Sequence, residues 1–135
     1  VGCLSPADYE TYVFPHSTRL MQEISGKVPV IHFGTGNPAL SELMAKAGGD
    51  VIALDWRTPL VPTWDAMGVK AVQGNLDPII LCATPEAVRA QAKTLLDEVD
   101  GRPGHIFNRG HGIIPETPVE NVKALVDFVH EYSKR

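Results

Sequence analysis

The chain has 135 residues, 44% of them hydrophobic and 21% charged, with a formal net charge of -4 when its five His are counted neutral. That is enough chain for one domain with a sizeable core. The acidic balance argues against a nucleic-acid or anionic-membrane partner, and no apolar run reaches the roughly 20 residues that cross a bilayer.

In chain order, Ser5-Pro6-Ala7-Asp8 opens a first helix. The hydroxyl sits at the N-cap, Pro at the first helical position, and a carboxylate near the positive end of the helix. Tyr9, Val13, His16, Leu20 and Ile24 fall on one side of it, and Pro15 inside it is expected to bend it. A strand is expected from Val28 to Phe33. A helix from about Pro38 to Ala47 follows, carrying Leu40, Leu43 and Met44 and stopped by Gly48-Gly49. A second strand runs Asp50 to Leu54, then a short helix lies around Thr63 to Met67, then a third strand runs Val69 to Gly74.

Thr84-Pro85-Glu86 starts a helix with Val88, Ala92, Leu95 and Val99 on one face. A fourth strand is expected from His105 to Asn108. Thr117-Pro118-Val119-Glu120 resembles the Ser5 arrangement and predicts a capped helix, with Val122, Leu125, Val126 and Val129 inward. The first two strands are nearly continuous in hydrophobicity, the pattern of strands buried on both faces. Strict alternation of helix and strand means an α/β fold with right-handed crossovers. Cys3 and Cys82 are far apart, and CxxC, HxxxH and HExxH are all absent. A reduced, cytoplasmic setting without metal is the expectation. The start at Val1, with neither Met nor a signal-peptide pattern, is read as the interior of something longer.

Polar residues and glycines collect after every strand: Gly34-Thr35-Gly36-Asn37, Asp55-Trp56-Arg57, Asn75-Leu76-Asp77-Pro78 and Arg109-Gly110-His111-Gly112. The C-terminal ends of strands are where sites form in barrels and in open parallel sheets alike. His111, between two glycines, is placed to donate to an anion or exchange a proton, though a loop His can equally tie down a neighbouring carbonyl. Arg57 can bind a carboxylate or cover the rim. Alternation would point Arg109 to the face opposite Asn108 if the strand persisted through it. Asp55, Asn75 and Asp77 are as suited to anchoring loops as to touching a ligand. Gly34-Thr35-Gly36 lacks the spacing of a phosphate loop. His32 reads as a satisfied core or rim histidine. Trp56 and Trp64 are expected to pack the top of the sheet, with Trp56 able to border a flat ligand, and no chemistry is assigned to His16 or His130.

The ordered set Val30-Ile31-His32-Phe33-Gly34, Val51-Ile52-Ala53-Leu54-Asp55-Trp56, Gly74-Asn75-Leu76-Asp77-Pro78, His105-Ile106-Phe107-Asn108-Arg109-Gly110-His111-Gly112 and Pro115-Glu116-Thr117-Pro118 resembles the C-terminal half of the uroporphyrinogen decarboxylases. The resemblance spans essentially the whole chain. It implies the last four βα units of a TIM-type (β/α)8 barrel, with residues 1–135 forming part of a single domain. It further implies a cofactor-free homodimer of porphyrin and haem synthesis that converts the four acetates of uroporphyrinogen III to methyls, giving coproporphyrinogen III. The family's central Asp, its pocket Tyr and a substrate-contacting Ser are not in this sequence, so no catalytic residue is assigned. His111, the His of the Asn-x-Gly-His-Gly motif, carries over as substrate-binding, with Arg109, Asn75 and Arg57 as secondary candidates. Arg109 stands where the family usually has Leu, which bears on loop packing and adds a cation near the substrate's carboxylates. Two alternatives stand beside this one. One is a segment of a superfamily methyltransferase, which would need zinc held by His and Cys. The other is an inactive half-barrel serving as an assembly unit, its two open strand edges inviting a partner.

Overall fold

The computed structural model describes residues 2–36 and 38–134, so Val1, Asn37 and Arg135 lie outside the described residues. The elements are α1 (Pro6–Tyr12), α2 (Phe14–Ile24), β1 (Ile31–Phe33), α3 (Ser41–Ala47), β2 (Val51–Ala53), α4 (Leu60–Met67), β3 (Val72–Leu76), α5 (Pro85–Val99), β4 (His105–Arg109) and α6 (Val119–Tyr132). Short 3-10 turns at Pro38–Leu40 and Pro78–Cys82 precede α3 and α5.

All three strand pairings are parallel, in the order β1-β2-β3-β4. An open doubly wound sheet reverses its strand order at a switch point. Here each strand adds beside its predecessor, always in the same direction, as in an arc of a (β/α)8 barrel. The chain therefore has the fold of half a barrel.

Cap chemistry explains two of the helix starts. The Ser5 hydroxyl accepts from the Asp8 amide at 3.1 Å, and Thr84 Oγ1 accepts from the Ala87 amide at 3.3 Å. Thr117 departs from the expectation. Pro118 is the N-cap residue and makes no side-chain cap bond, while the Thr117 hydroxyl oxygen is buried with no hydrogen-bond partner among the described residues. A buried polar atom left unsatisfied costs stability, and an apolar isostere removes that cost. Thr117→Val is therefore expected to raise stability by about 1 kcal/mol, read as an upward shift in the urea midpoint at constant m. A fall of the midpoint would show that the hydroxyl is satisfied after all.

Pro15 does more than bend the first helix. The helix is interrupted at Val13, and α2 restarts with Pro15 in its first turn, where the missing N–H has no partner to lose. Tyr9 of α1 is buried with Leu40 and Met44, whereas α2 buries no residue fully and Leu20 is exposed.

The main core lies between sheet and helices, in two contiguous clusters. Ile52, Leu54, Leu60, Trp64, Val72 and Val99 form one; Leu76, Leu81, Val88, Ala92 and Leu125 form the other. The apolar face expected for α5 is therefore the buried one. On α6, Val126 departs from its expected place and is 45% exposed, because it borders an open cleft beside β4, the edge strand. Asn121, a residue that periodicity passes over, locks α6 to the preceding turn by donating to the Leu81 and Ala83 carbonyls at 2.8 and 2.7 Å.

The first strand corrects the expectation of burial on both faces. It is confined to Ile31–Phe33, with His32 buried and Ile31 and Phe33 49% and 46% exposed. Ile106 on β4 is exposed as well. These apolar side chains lie on the concave face, which in a closed barrel is packed by side chains from the facing strands. Four strands supply only one side of that packing.

Candidate functional site

At the C-terminal ends of the strands, one carboxylate organises the loops. Asp55 follows β2 and is fully buried. It accepts hydrogen bonds from the Gly36 amide in the loop after β1, from the Arg57 amide at 3.0 Å and from the Thr58 hydroxyl at 3.2 Å. The Arg57 guanidinium adds a longer contact at 3.4 Å. Buried carboxylates persist when their lone pairs are matched by donors in this way. The buried Asn75 of β3 works from the other side, its amide donating to the Asp55 and Thr58 carbonyls at 2.9 and 2.6 Å. Loops after β1 and β2 and the end of β3 are thereby joined.

The end of β4 joins them by close approach. The Gly110 amide donates to the Leu76 carbonyl at 2.8 Å. A Cβ built on Gly110 would lie 2.8 Å from the Asp55 carbonyl carbon and 2.9 Å from Trp56 Cα. Only a residue without a side chain lets the two backbones come this near. Gly74 makes a similar approach inside the sheet, with φ +138° and the Leu54 carbonyl oxygen 2.8 Å from where its Cβ would be.

This packing brings His111 to the indole of Trp56, with ring centroids 6.1 Å apart, and to Phe33 of β1 edge-on at 6.4 Å. Phe33 and His111 are 78 residues apart in sequence (111 minus 33) and meet at the C-terminal ends of β1 and β4. His111 Nδ1 accepts the Gly112 amide hydrogen at 2.6 Å, which puts the ring's own hydrogen on Nε2 and makes that nitrogen the donor. The guanidinium of Arg57 lies 3.9 Å from the centroid of the same indole, a cation–π placement, with 54% of its side chain exposed. The rim thus presents an aromatic surface flanked by two donors suited to carboxylates.

The other predicted residues sort differently. The strand continues through Arg109, and alternation accordingly turns Arg109 away from Asn108, into a cleft of ≈ 270 Å³ shared with Phe107, Val122 and Val126. Asp77 caps the 3-10 turn by accepting from the Ile79 amide at 2.9 Å, the anchoring role open to it in the sequence. His32 is buried and paired with the Gly48 carbonyl at 2.9 Å. Trp64 is not at the top: it is buried in the core between sheet and helices, its Nε1 donating to the Val69 carbonyl at 2.8 Å ahead of β3.

Periodicity gave no signal for His105. Its Nε2 bonds the Gly74 carbonyl at 2.7 Å, and burial lowers its pKa below the ordinary imidazole value, an effect the hydrogen bond opposes. It borders a cavity of ≈ 830 Å³ between α5 and α6, at the end of β4 away from His111. Among the described residues no three His, Cys, Asp or Glu side chains converge to hold a metal ion, and Cys3 and Cys82 are both exposed. No helix of the described residues is long and apolar enough to cross a membrane.

Comparison with known proteins adds an independent line. Residues 1–132 match the family model described as uroporphyrinogen decarboxylase (URO-D). The chain is 50% identical to the uroporphyrinogen decarboxylase of Koribacter versatilis, over 100% of this chain and 39% of the relative. It is 53% identical to that of Sorangium cellulosum, over 96% of this chain and 38% of the relative. For the Thermus thermophilus relative the identity is 52%, over 97% and 39% respectively. The chain therefore spans about 39% of the length of the curated relatives it matches. Among solved structures, a methyltransferase from Methanosarcina mazei superposes with a TM-score of 0.77 at 23% identity, over 97% of this chain and 39% of that one, a likeness of fold.

Proposed function

This chain belongs to the uroporphyrinogen decarboxylase family, and from that premise we propose that it supplies the last four βα units of a single-domain carboxy-lyase. The reaction removes the acetate carboxyls of uroporphyrinogen III, a cytoplasmic step of porphyrin synthesis, carried out by a homo-oligomer. In each round a proton adds to the pyrrole ring and the bond to the carboxylate breaks, releasing carbon dioxide. A proton then reaches the exocyclic carbon and the ring proton leaves. The charged ring needs a carboxylate beside it, and by family resemblance that group lies on earlier strands. This segment's part is to bind the substrate's own carboxylates.

The observation that carries the reading is the exposed His111 at the Trp56 indole, its Nδ1 engaged by Gly112 and its Nε2 left as the donor. Arg57 beside the same ring is a secondary cation for the same eight-carboxylate substrate, whereas Arg109 faces the cleft against α6 and is set apart from that rim. Asn75 acts from behind, by fixing the Asp55–Thr58 loop.

The test is a chimera in which this segment replaces the matching part of the Thermus thermophilus relative. The chimera is expected to form coproporphyrinogen from uroporphyrinogen, followed by chromatography of the oxidised porphyrins. His111→Ala should lower its kcat/KM about 100-fold, the usual loss for removing one charge-stabilising donor, with Asn at this position keeping part of the rate. A folded His111→Ala chimera that retains activity within twofold would remove His111 from the site.

A further inference from the structure

Asp55 enters neither the proposed chemistry nor the family's transferred site residues, yet it is the most completely buried ionisable side chain at the rim. Its contacts divide between two loops: the Gly36 amide comes from the loop after β1, and Arg57 and Thr58 from the loop after β2. The Arg57 guanidinium is fixed from two directions, by Asp55 Oδ2 at 3.4 Å and by the Trp56 ring at 3.9 Å. One of its edges is thus held by the protein while more than half of the side chain stays open to solvent.

We propose that Asp55 is a positioning residue that holds Arg57 against Trp56, so that Arg57 and His111, both beside that indole, bind carboxylates of the substrate. The inference rests on the decarboxylase reading and adds to it the buried group that aims Arg57. The physical reason is preorganisation. A free Arg loses much rotameric freedom on gripping an anion, whereas one already clamped loses less. The protein anion also holds the cation at a defined place on the ring face, where an unpaired guanidinium would sample solvent. With Arg57 over its face and His111 beside it, the indole gathers two donors at one aromatic surface, suited to a substrate whose pyrrole rings carry charged arms.

The experiment uses the active chimera, with kcat and KM measured separately. Arg57→Gln is expected to raise KM about tenfold while kcat changes less than twofold, as for loss of one charged hydrogen bond made equally in ground and transition states. Arg57→Lys should recover part of that loss, since it restores the charge without the planar fork. Asp55→Asn keeps the size of the side chain and should reproduce most of the KM rise. In the double variant the two effects should fail to add, because both act through one guanidinium. A scaffolding role alone would instead lower the melting temperature and the active fraction, leave KM unmoved and add to Arg57→Gln. If Asp55→Asn does not fold, the Gln and Lys variants of Arg57 decide the matter. An unchanged KM in Arg57→Gln, or full additivity in the double variant, overturns the proposal. An inactive chimera would count against the decarboxylase reading itself; an active one with an indifferent Arg57 counts against this inference alone.

Discussion

Replacing Gly110 by Ala is expected to destabilise the protein by about 3 kcal/mol, the upper part of the range for forcing a group into filled space. The added methyl would meet backbone, with the Asp55 carbonyl carbon 2.8 Å and Trp56 Cα 2.9 Å away, and backbone cannot rotate aside as a flexible side chain can. Relief requires β4 to withdraw from the loop after β2, which strains the bond from the Gly110 amide to the Leu76 carbonyl. It also carries His111 away from Trp56. Activity of the chimera should therefore fall further than its stability. Gly112 supplies the control: a Cβ there meets nothing within 4 Å, so Gly112→Ala should shift stability by less than about 0.5 kcal/mol. Thermal unfolding of the two variants side by side checks the pair. Equal melting temperatures would mean that β4 does not approach Trp56 as described.

The second large effect concerns the 135-residue chain by itself. Its decarboxylase turnover is expected to be at least about 1,000-fold below that of the chimera, because family resemblance puts the carboxylate needed beside the charged ring on earlier strands. Its concave face also leaves Ile31, Phe33 and Ile106 exposed, and β1 and β4 each have one strand partner among the described residues. Open parallel edges beside an apolar face are a template for association. Sedimentation should thus show self-association rising with concentration, the behaviour expected of the assembly-unit alternative as well. A monomer at high concentration would speak against open edges. Turnover near that of the chimera would show that the segment holds the whole catalytic apparatus.

Half of the site was legible before any coordinates. Gly110 and Gly112 around His111 mark a strand end where a backbone must bend, and the family motif names the imidazole between them. Trp56 and Arg57 stand out as residues following an apolar run. Their mutual arrangement was not legible. Asn75 and Asp55 look alike in sequence as polar residues after strands, and both turn out to be committed to loop bonds with partners about twenty residues away. Arg109 could be placed only conditionally, because whether β4 persisted through it depends on its pairing with Leu76 across the sheet.

The sequence by itself determined the alternation of elements, the Ser5 and Thr84 helix starts and the collection of polar groups at one end of the strands. Those features rest on interactions spanning three or four residues, or on a repeating period, and so are written locally. Only the tertiary structure decided which face of β1 stays uncovered, that Thr117 caps nothing, that Trp64 belongs to the core and Trp56 to the rim, and that one buried carboxylate joins the loops. Each of those outcomes depends on a neighbour brought close by strand pairing or helix packing, and the strength of a hydrogen bond or a steric clash is set by that distance in space.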